Sequence, residues 1–302
     1  MKKIQTPILV ISLMCLLLLT ACSNQKAKEL EESKESLTFS NLLNETSQEE
    51  VREAMAAAEI PSENIDLFFQ NVNDYNNIVE GKSLVKGGFT TIDSLQAEYD
   101  IIGIMDMWNA KNPDFIGYNC RITSYELMKD SIKIGKLDTK NSDWLVFDEN
   151  AIENNPKELF TQVEHEEFKS LYSFIPTEST KDISLHLKKV QEDWKRKEIE
   201  FPNKDKKSII SVFFHDEEEE YLFIEHMGLL IPTKGGELLF IEKLSFQEPY
   251  QAIKFHNPIE LNDYLMNKYD ISWNQEGAKP FIMGNDKLLE GYRENQNKIE
   301  SD

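Results

Sequence analysis

Cysteine, histidine, glycine and basic charge are all scarce in this chain, and each scarcity removes a class of function. Only Cys15, Cys22 and Cys120 occur in 302 residues, which is too few for a disulfide-stapled scaffold. With five scattered histidines they give no closely spaced ligand pair, so zinc is not expected. The twelve glycines form no phosphate-cradling loop, because Lys86-Gly87-Gly88 is an isolated turn. Lys and Arg number 33 against 54 Asp and Glu, a formal net charge of −21, which argues against nucleic acid or an anionic membrane face as the main partner. No second apolar run long enough to span a membrane follows the first. No cofactor is implied.

The N-terminus carries a strong signal. Lys2 and Lys3 supply positive charge, Ile8 to Leu19 is nearly unbroken apolar sequence, and Leu19-Thr20-Ala21-Cys22 closes it. This arrangement resembles a bacterial lipoprotein signal. The resemblance implies cleavage after residue 21 and diacylglyceryl attachment to Cys22, with two acyl chains giving stable anchoring. The alternative is an ordinary secretory peptide with an accidental cysteine. Either way the mature protein is expected outside the cytoplasm, and the lipoprotein reading puts it at the extracytoplasmic face of the cell membrane. The removed segment holds two lysines and no acids, so the mature chain is more acidic still. It keeps ample length for one large domain or two small ones. Cys15 leaves with the signal and Cys22 is acylated, so Cys120 is the one free thiol and no intramolecular disulfide can form.

Residues 22–37 are polar and read as a tether. Residues 38–302 read as a single α+β domain. Ser47-Gln48-Glu49-Glu50 fits a capping box for a helix to about Glu59, and Pro61-Ser62 breaks it before Ile65 to Ile78 restarts. Ile101 to Trp108 is helical until Asn112-Pro113. Asn119 caps a helix to Ile132 with Cys120 in its first turn. Residues 157–172 and 182–199 are amphipathic. After this helical part, 38–200, the period switches to strand over 208–246: IISVFF, YLFIEHMGLLI and ELLFIEKLSF, an antiparallel meander. Gln247 to Gln251 reads as a loop, and Pro258 opens a helix through Tyr269 within a C-terminal region of 258–295. Helices first and a contiguous meander later point to α+β architecture, with the helical half packed on the sheet.

A helix N-terminus lowers a thiol's pKa and offers N–H groups to an oxyanion, so Cys120 is a candidate nucleophile. The opposing reading is a small buried apolar residue. Of the histidines, only His226 lies mid-strand. By alternation it shares a face with Leu222, Ile224, Gly228 and Leu230, with room beside Gly228. Glu242, on an otherwise apolar face of the next strand, is the candidate orienting group. If the hairpin loop is Pro232 to Gly236, Ile231 faces Glu237 and His226 faces Glu242 directly, whereas a one-residue slip brings Lys243 opposite. A structural histidine–carboxylate pair would read the same way. Asn119, Arg121 and Gln247 are weaker candidates for contacting substrate or oxyanion. The run Asp216 to Glu220 lacks the spacing of a calcium loop and reads as a solvated turn.

A cysteine opening a helix, followed about a hundred residues later by a strand reading E-H-M-G-L-L-I and a further strand with a polar residue, resembles the papain-like fold, especially NlpC-type cell-wall peptidases. The resemblance spans Asn119 to Phe246 and implies a thiol hydrolase cleaving an amide or ester bond in the envelope. It departs at Asn119-Cys120-Arg121-Ile122, where Asp-Cys-Ser-Gly is typical, and in the long helical insertion before the histidine. The segments G-Y-N-C-R-I-T-S, E-H-M-G-L-L-I and I-E-K-L-S-F-Q-E-P-Y-Q are also similar to an uncharacterised family of Gram-positive lipoproteins, a domain of unknown function numbered 4300. The competing expectation is a non-enzymatic surface lipoprotein that binds an envelope peptide, glycan or protein.

Overall fold

The structure, a computed structural model, describes residues 36–157, 159–271 and 275–295. The expected signal, the Cys22 anchor and most of the expected tether lie outside the described residues. The strands are β1 (Leu37–Ser40), β2 (Thr90–Ile92), β3 (Lys133–Ile134), β4 (Ile175–Pro176), β5 (Ile199–Glu200), β6 (Ser208–Asp216), β7 (Tyr221–Pro232), β8 (Leu238–Lys243), β9 (Tyr250–Phe255), β10 (Phe281–Gly284) and β11 (Lys287–Leu288). The helices are α1 (Glu45–Ala57), α2 (Ser62–Ile78), α3 (Ile101–Lys111), α4 (Cys120–Met128), α5 (Val146–Glu153), α6 (Gln162–Tyr172), α7 (Ile183–Arg196) and α8 (Pro258–Tyr269). From Ser36 on the chain is one compact unit, of mixed α+β class.

Its centre is an antiparallel sheet in the order β11-β10-β6-β7-β8-β9-β1-β2, with β4 added beside β7. The expected meander β6-β7-β8 is its middle. The sheet is wider than expected because both ends of the domain join it. Leu37, expected in the tether, opens β1, and β9 begins at Tyr250 inside the stretch expected as a loop. Thr38 pairs with Lys254, so residues more than two hundred positions apart lie side by side. Such pairing leaves little local sequence signal.

Alternation along the strands gives the sheet two apolar faces. Ile209, Met227, Leu229, Ile231, Leu239 and Ile241 pack with residues of α1, α2, α4, α6 and α7 in the larger core. Ile210, Val212, Leu230, Phe240, Ile253 and Phe255 face Leu261, Tyr264, Leu265 and Met266 of α8 in the smaller one. A sheet buried on both faces explains why its strands read as near-continuous apolar runs.

Several helix boundaries differ from the sequence expectation, among them α2, which starts at Ser62 rather than Ile65, and α7, which ends at Arg196 rather than 199. Asn44, not Ser47, caps α1, and its Oδ1 accepts from Ser47 N at 2.9 Å. The helix expected from 157 starts at Gln162, where Thr161 and Glu164 form a reciprocal capping box, and α5 precedes it unannounced. The helix carrying Cys120 stops at Met128 rather than Ile132. Among the described residues, no helix is long and apolar enough to cross a membrane.

Candidate active site

The thiol is placed by a turn that requires glycine. Gly117 has φ +103°, and a Cβ there would stand 2.6 Å from Phe246 O, so this left-handed close approach excludes other side chains. Two residues later Asn119 caps α4, its Oδ1 accepting from Ile122 N at 2.9 Å. Cys120 therefore occupies the first helical position, where the N–H groups of Cys120 and Arg121 have no intrahelical acceptor. The thiol is 4 % exposed and lies 3.8 Å from Glu225 O.

The imidazole is placed by a bulge. Val212 pairs with His226 but Phe213 pairs with Ile224, so Glu225 is the extra residue of β7. One extra residue exchanges the faces on either side of it. Leu222 and Ile224 join the larger core, while His226 turns to the α8 face with Gly228 and Leu230. The expectation that all five share one face is thus corrected.

The hairpin register differs as well. Pro232 pairs with Leu238, so Gly228, not His226, sits opposite Glu242. This two-residue offset preserves the face, because the side-chain period is two. His226 Nε2 reaches Glu242 Oε2 diagonally at 2.6 Å. Gly228 makes the diagonal possible: a Cβ there would stand 2.5 Å from the Phe240 ring. On the other side, Tyr264 of α8 donates its hydroxyl to Glu242 Oε1. Tyr269 stacks on the His226 ring at 5.1 Å.

The pairing of β7 with β8 ends at Gly228, and β4 covers only Tyr221 and Leu222. Through that uncovered stretch of β7 the N-terminus of α4 brings Cys120 near enough to His226 for the charge on each to favour the charge on the other. Because Nε2 is held by Glu242, Nδ1 is the ring nitrogen left for the thiol.

The three groups hold one another ionised. Burial pushes the Cys120 thiol up, but the His226 imidazolium, its hydrogen bond and the Arg121 guanidinium outweigh burial and bring it below its ordinary value. Burial likewise opposes charge on His226, yet the Cys120 thiolate and Glu242 raise it to about 9. For Glu242, burial is overcome by His226, with smaller help from Lys268 and Tyr264, and its carboxyl falls below the ordinary range. Each shift runs toward the charged form of its group, a thiolate, an imidazolium and a carboxylate.

The weaker candidates have other partners. Arg121 donates Nε and Nη2 to Asp148 at 2.9 and 2.7 Å and Nη1 to Ile224 O at 3.0 Å. Its guanidinium braces α4 against α5 and β7 instead of facing a substrate. Asn119 spends its amide on the cap and on Asp148 Oδ1 at 2.7 Å, which leaves the backbone N–H groups at the start of α4 as the free donors beside the thiol. Gln247 Nε2 points to Ile116 O at 3.4 Å, beside the turn that leads to the thiol. Its loop is tied down by the buried Lys243, whose Nζ donates to the carbonyls of Ser245, Phe246 and Glu248.

Asp148, Tyr264 and Tyr269 went unrecognised in the sequence. Asp148 follows the apolar stretch Leu145-Val146-Phe147, which hid a helix start. The two tyrosines lie on a helix whose pattern marks them only as core. Among the described residues, no group of His, Cys, Asp and Glu could hold a metal ion.

Comparison with known families gives one result. The family model described as Domain of unknown function (DUF4300) matches residues 38–289, a span that holds every strand and helix of the main sheet except part of β1. No curated protein and no solved structure matches the chain.

Proposed function

We propose that this chain, which belongs to the DUF4300 family, is a cell-envelope lipoprotein anchored through Cys22 that works as a papain-like thiol hydrolase on an amide or ester bond. The observation that carries this reading is the buried His226–Glu242 pair with Cys120 electrostatically coupled to it, brought together by a helix N-terminus and the second and third strands of the meander. A buried histidine–carboxylate pair alone would be structural. A lone thiol delivered to the free ring nitrogen of that histidine is what nucleophilic catalysis needs.

In this reaction Cys120 Sγ forms a bond to the carbonyl carbon and the carbonyl electron pair moves to oxygen. The backbone N–H groups of Cys120 and Arg121 stabilise that oxyanion. When the oxyanion collapses, the C–N or C–O bond breaks and His226 gives its Nδ1 proton to the leaving group, leaving a thioester and a neutral imidazole. The imidazole then takes a proton from the water that attacks the thioester. Release of the acid restores the thiolate–imidazolium pair. Glu242 keeps the ring oriented and its positive form favourable throughout, and Tyr264 and Tyr269 hold the carboxylate and the ring in place.

A second reading has one observation in its favour. At 4 % exposure Cys120 could be an inert core residue of a lipoprotein that binds an envelope peptide, glycan or protein. Cys120→Ala separates the two readings. In a hydrolase it abolishes thiol-dependent turnover in a protein that still folds, whereas in a binder it lowers stability or changes nothing.

A further inference from the structure

A cavity of about 210 Å³ lies on the α8 face, lined by Tyr99, Leu244, Glu248, Gln251, Tyr264 and Lys268 among others. Neither Cys120 nor His226 lines it, so it is distinct from the thiol site. It is nevertheless coupled to that site, since Tyr264 bonds Glu242 and Gln251 pairs with Glu242 across β8 and β9.

It is lined by both hydrogen-bond acceptors and donors. Gln251 is 2 % exposed, and its Oε1 has no hydrogen-bond partner, a costly state for a buried acceptor. The half-buried Glu248 carboxylate adds a second acceptor with negative charge. The half-buried Lys268 ammonium and the Tyr99 hydroxyl are donors. That hydroxyl accepts from Asn41 Nδ2 at 2.9 Å, so its own proton is left to donate. Neither Glu248 nor Lys268 has an ion-pair partner within 4 Å among the described residues; Lys268 acts at longer range on Glu242, and its Nζ lies 5.7 Å from the centroid of the Tyr269 ring.

We propose that this cavity binds a zwitterion the size of one α-amino acid. The ligand's ammonium meets Gln251 Oε1 and the Glu248 carboxylate, and its carboxylate meets Lys268 and the Tyr99 hydroxyl. An ammonium has three donors to place and a carboxylate accepts from several directions, which matches two acceptors and two donors. The volume is below the roughly 300–1,000 Å³ of drug-sized sites, so one residue-sized unit fits and a glycan chain does not. Charge selects in the same direction. A chain of formal charge −21 repels a net anion, while a zwitterion carries none. The site does not depend on Cys120 being reactive.

The test is titration of the protein lacking its first 22 residues, which keeps the whole compact unit, with L- and D-alanine, acetate and methylamine. Calorimetry reports affinity, and the Gln251 side-chain amide resonance reports location. The expected result is saturable alanine binding that shifts the Gln251 amide. It should weaken about tenfold or more in Lys268→Gln and in Glu248→Gln, with both variants still folding cooperatively, and acetate and methylamine should each bind at least about tenfold more weakly. Three results would overturn the proposal. One is no saturation by either alanine up to about 100 mM. Another is acetate or methylamine binding as tightly as alanine. The third is alanine binding that ignores both variants.

Discussion

Glu126 lies in α4, the helix that begins with Cys120, and carries a cost that pH should reveal. It is 1 % exposed, Asn71 Nδ2 donates to its Oε2 at 3.0 Å, and its Oε1 has no partner. Burial pushes its carboxyl from an ordinary 4.5 up to about 7, against the Asn71 bond and the more distant Lys129 and Lys157. A raised carboxyl binds a proton in the folded state that the unfolded chain has already released. Stability therefore falls as pH rises from 4.5 through about 7 and levels off above it. A gap of that size is worth about 3 kcal/mol at pH 8. Glu126→Gln keeps the shape and the acceptor for Asn71 but cannot ionise. At pH 8 it should be more stable by up to about 3 kcal/mol, roughly 6–12 °C in Tm for a unit of this size, and near pH 4 the gap should close to about 0.5 kcal/mol. Urea unfolding followed by circular dichroism across this range makes the comparison. Parallel stability–pH curves for the two proteins would refute the reasoning.

Three other outcomes follow from the same geometry. Gly228→Ala places a Cβ 2.5 Å from Phe240 Cζ and 2.7 Å from Ile241 O, and it should cost about 1–3 kcal/mol while slowing thiol alkylation; unchanged unfolding and alkylation would show that the diagonal His226–Glu242 contact does not need the glycine. Asp148→Asn leaves the buried Arg121 guanidinium without its carboxylate and should cost about 3–5 kcal/mol in denaturant unfolding, much of it recovered when Arg121→Met is added. His226 is raised to about 9, so the stability it contributes is fully present below its ordinary 6.5 and lost as pH rises through about 9. Cys120 is lowered, so its contribution is present above its ordinary value and lost as pH falls through its folded one. The His226 ring should accordingly titrate at about 9 in the folded protein when followed by its ring-proton resonances, and titration near its ordinary 6.5 would contradict the ion pair.

Much of the candidate site was legible because it rests on local rules. Asn119 announces its cap, and the His226 and Glu242 positions stand out as polar interruptions of apolar strands. The α8 boundary follows from Pro258. What was not legible depends on contacts distant in sequence. The bulge at Glu225 has no glycine to mark it, so strand alternation assigned Leu222 and Ile224 to the wrong face. The register erred by two because the Thr233-Lys234-Gly235-Gly236 turn admits more than one closure, and the His226–Glu242 contact survived only because an even offset keeps the face. β1 and β9 escaped notice since each is short and finds its partner far along the chain. Asp148 escaped because a buried brace for Arg121 looks, in sequence, like any acidic residue after an apolar stretch.

The central claim is that Cys120 is a nucleophile activated by His226. It is tested most directly by the alkylation rate of Cys120 against pH in the protein lacking its first 22 residues, where it is the only thiol, with and without His226→Ala. The account predicts a thiolate that titrates well below the ordinary value of about 8.5 and moves up when His226 is removed. A thiol that reacts slowly at every pH, or whose titration ignores His226→Ala, would contradict it.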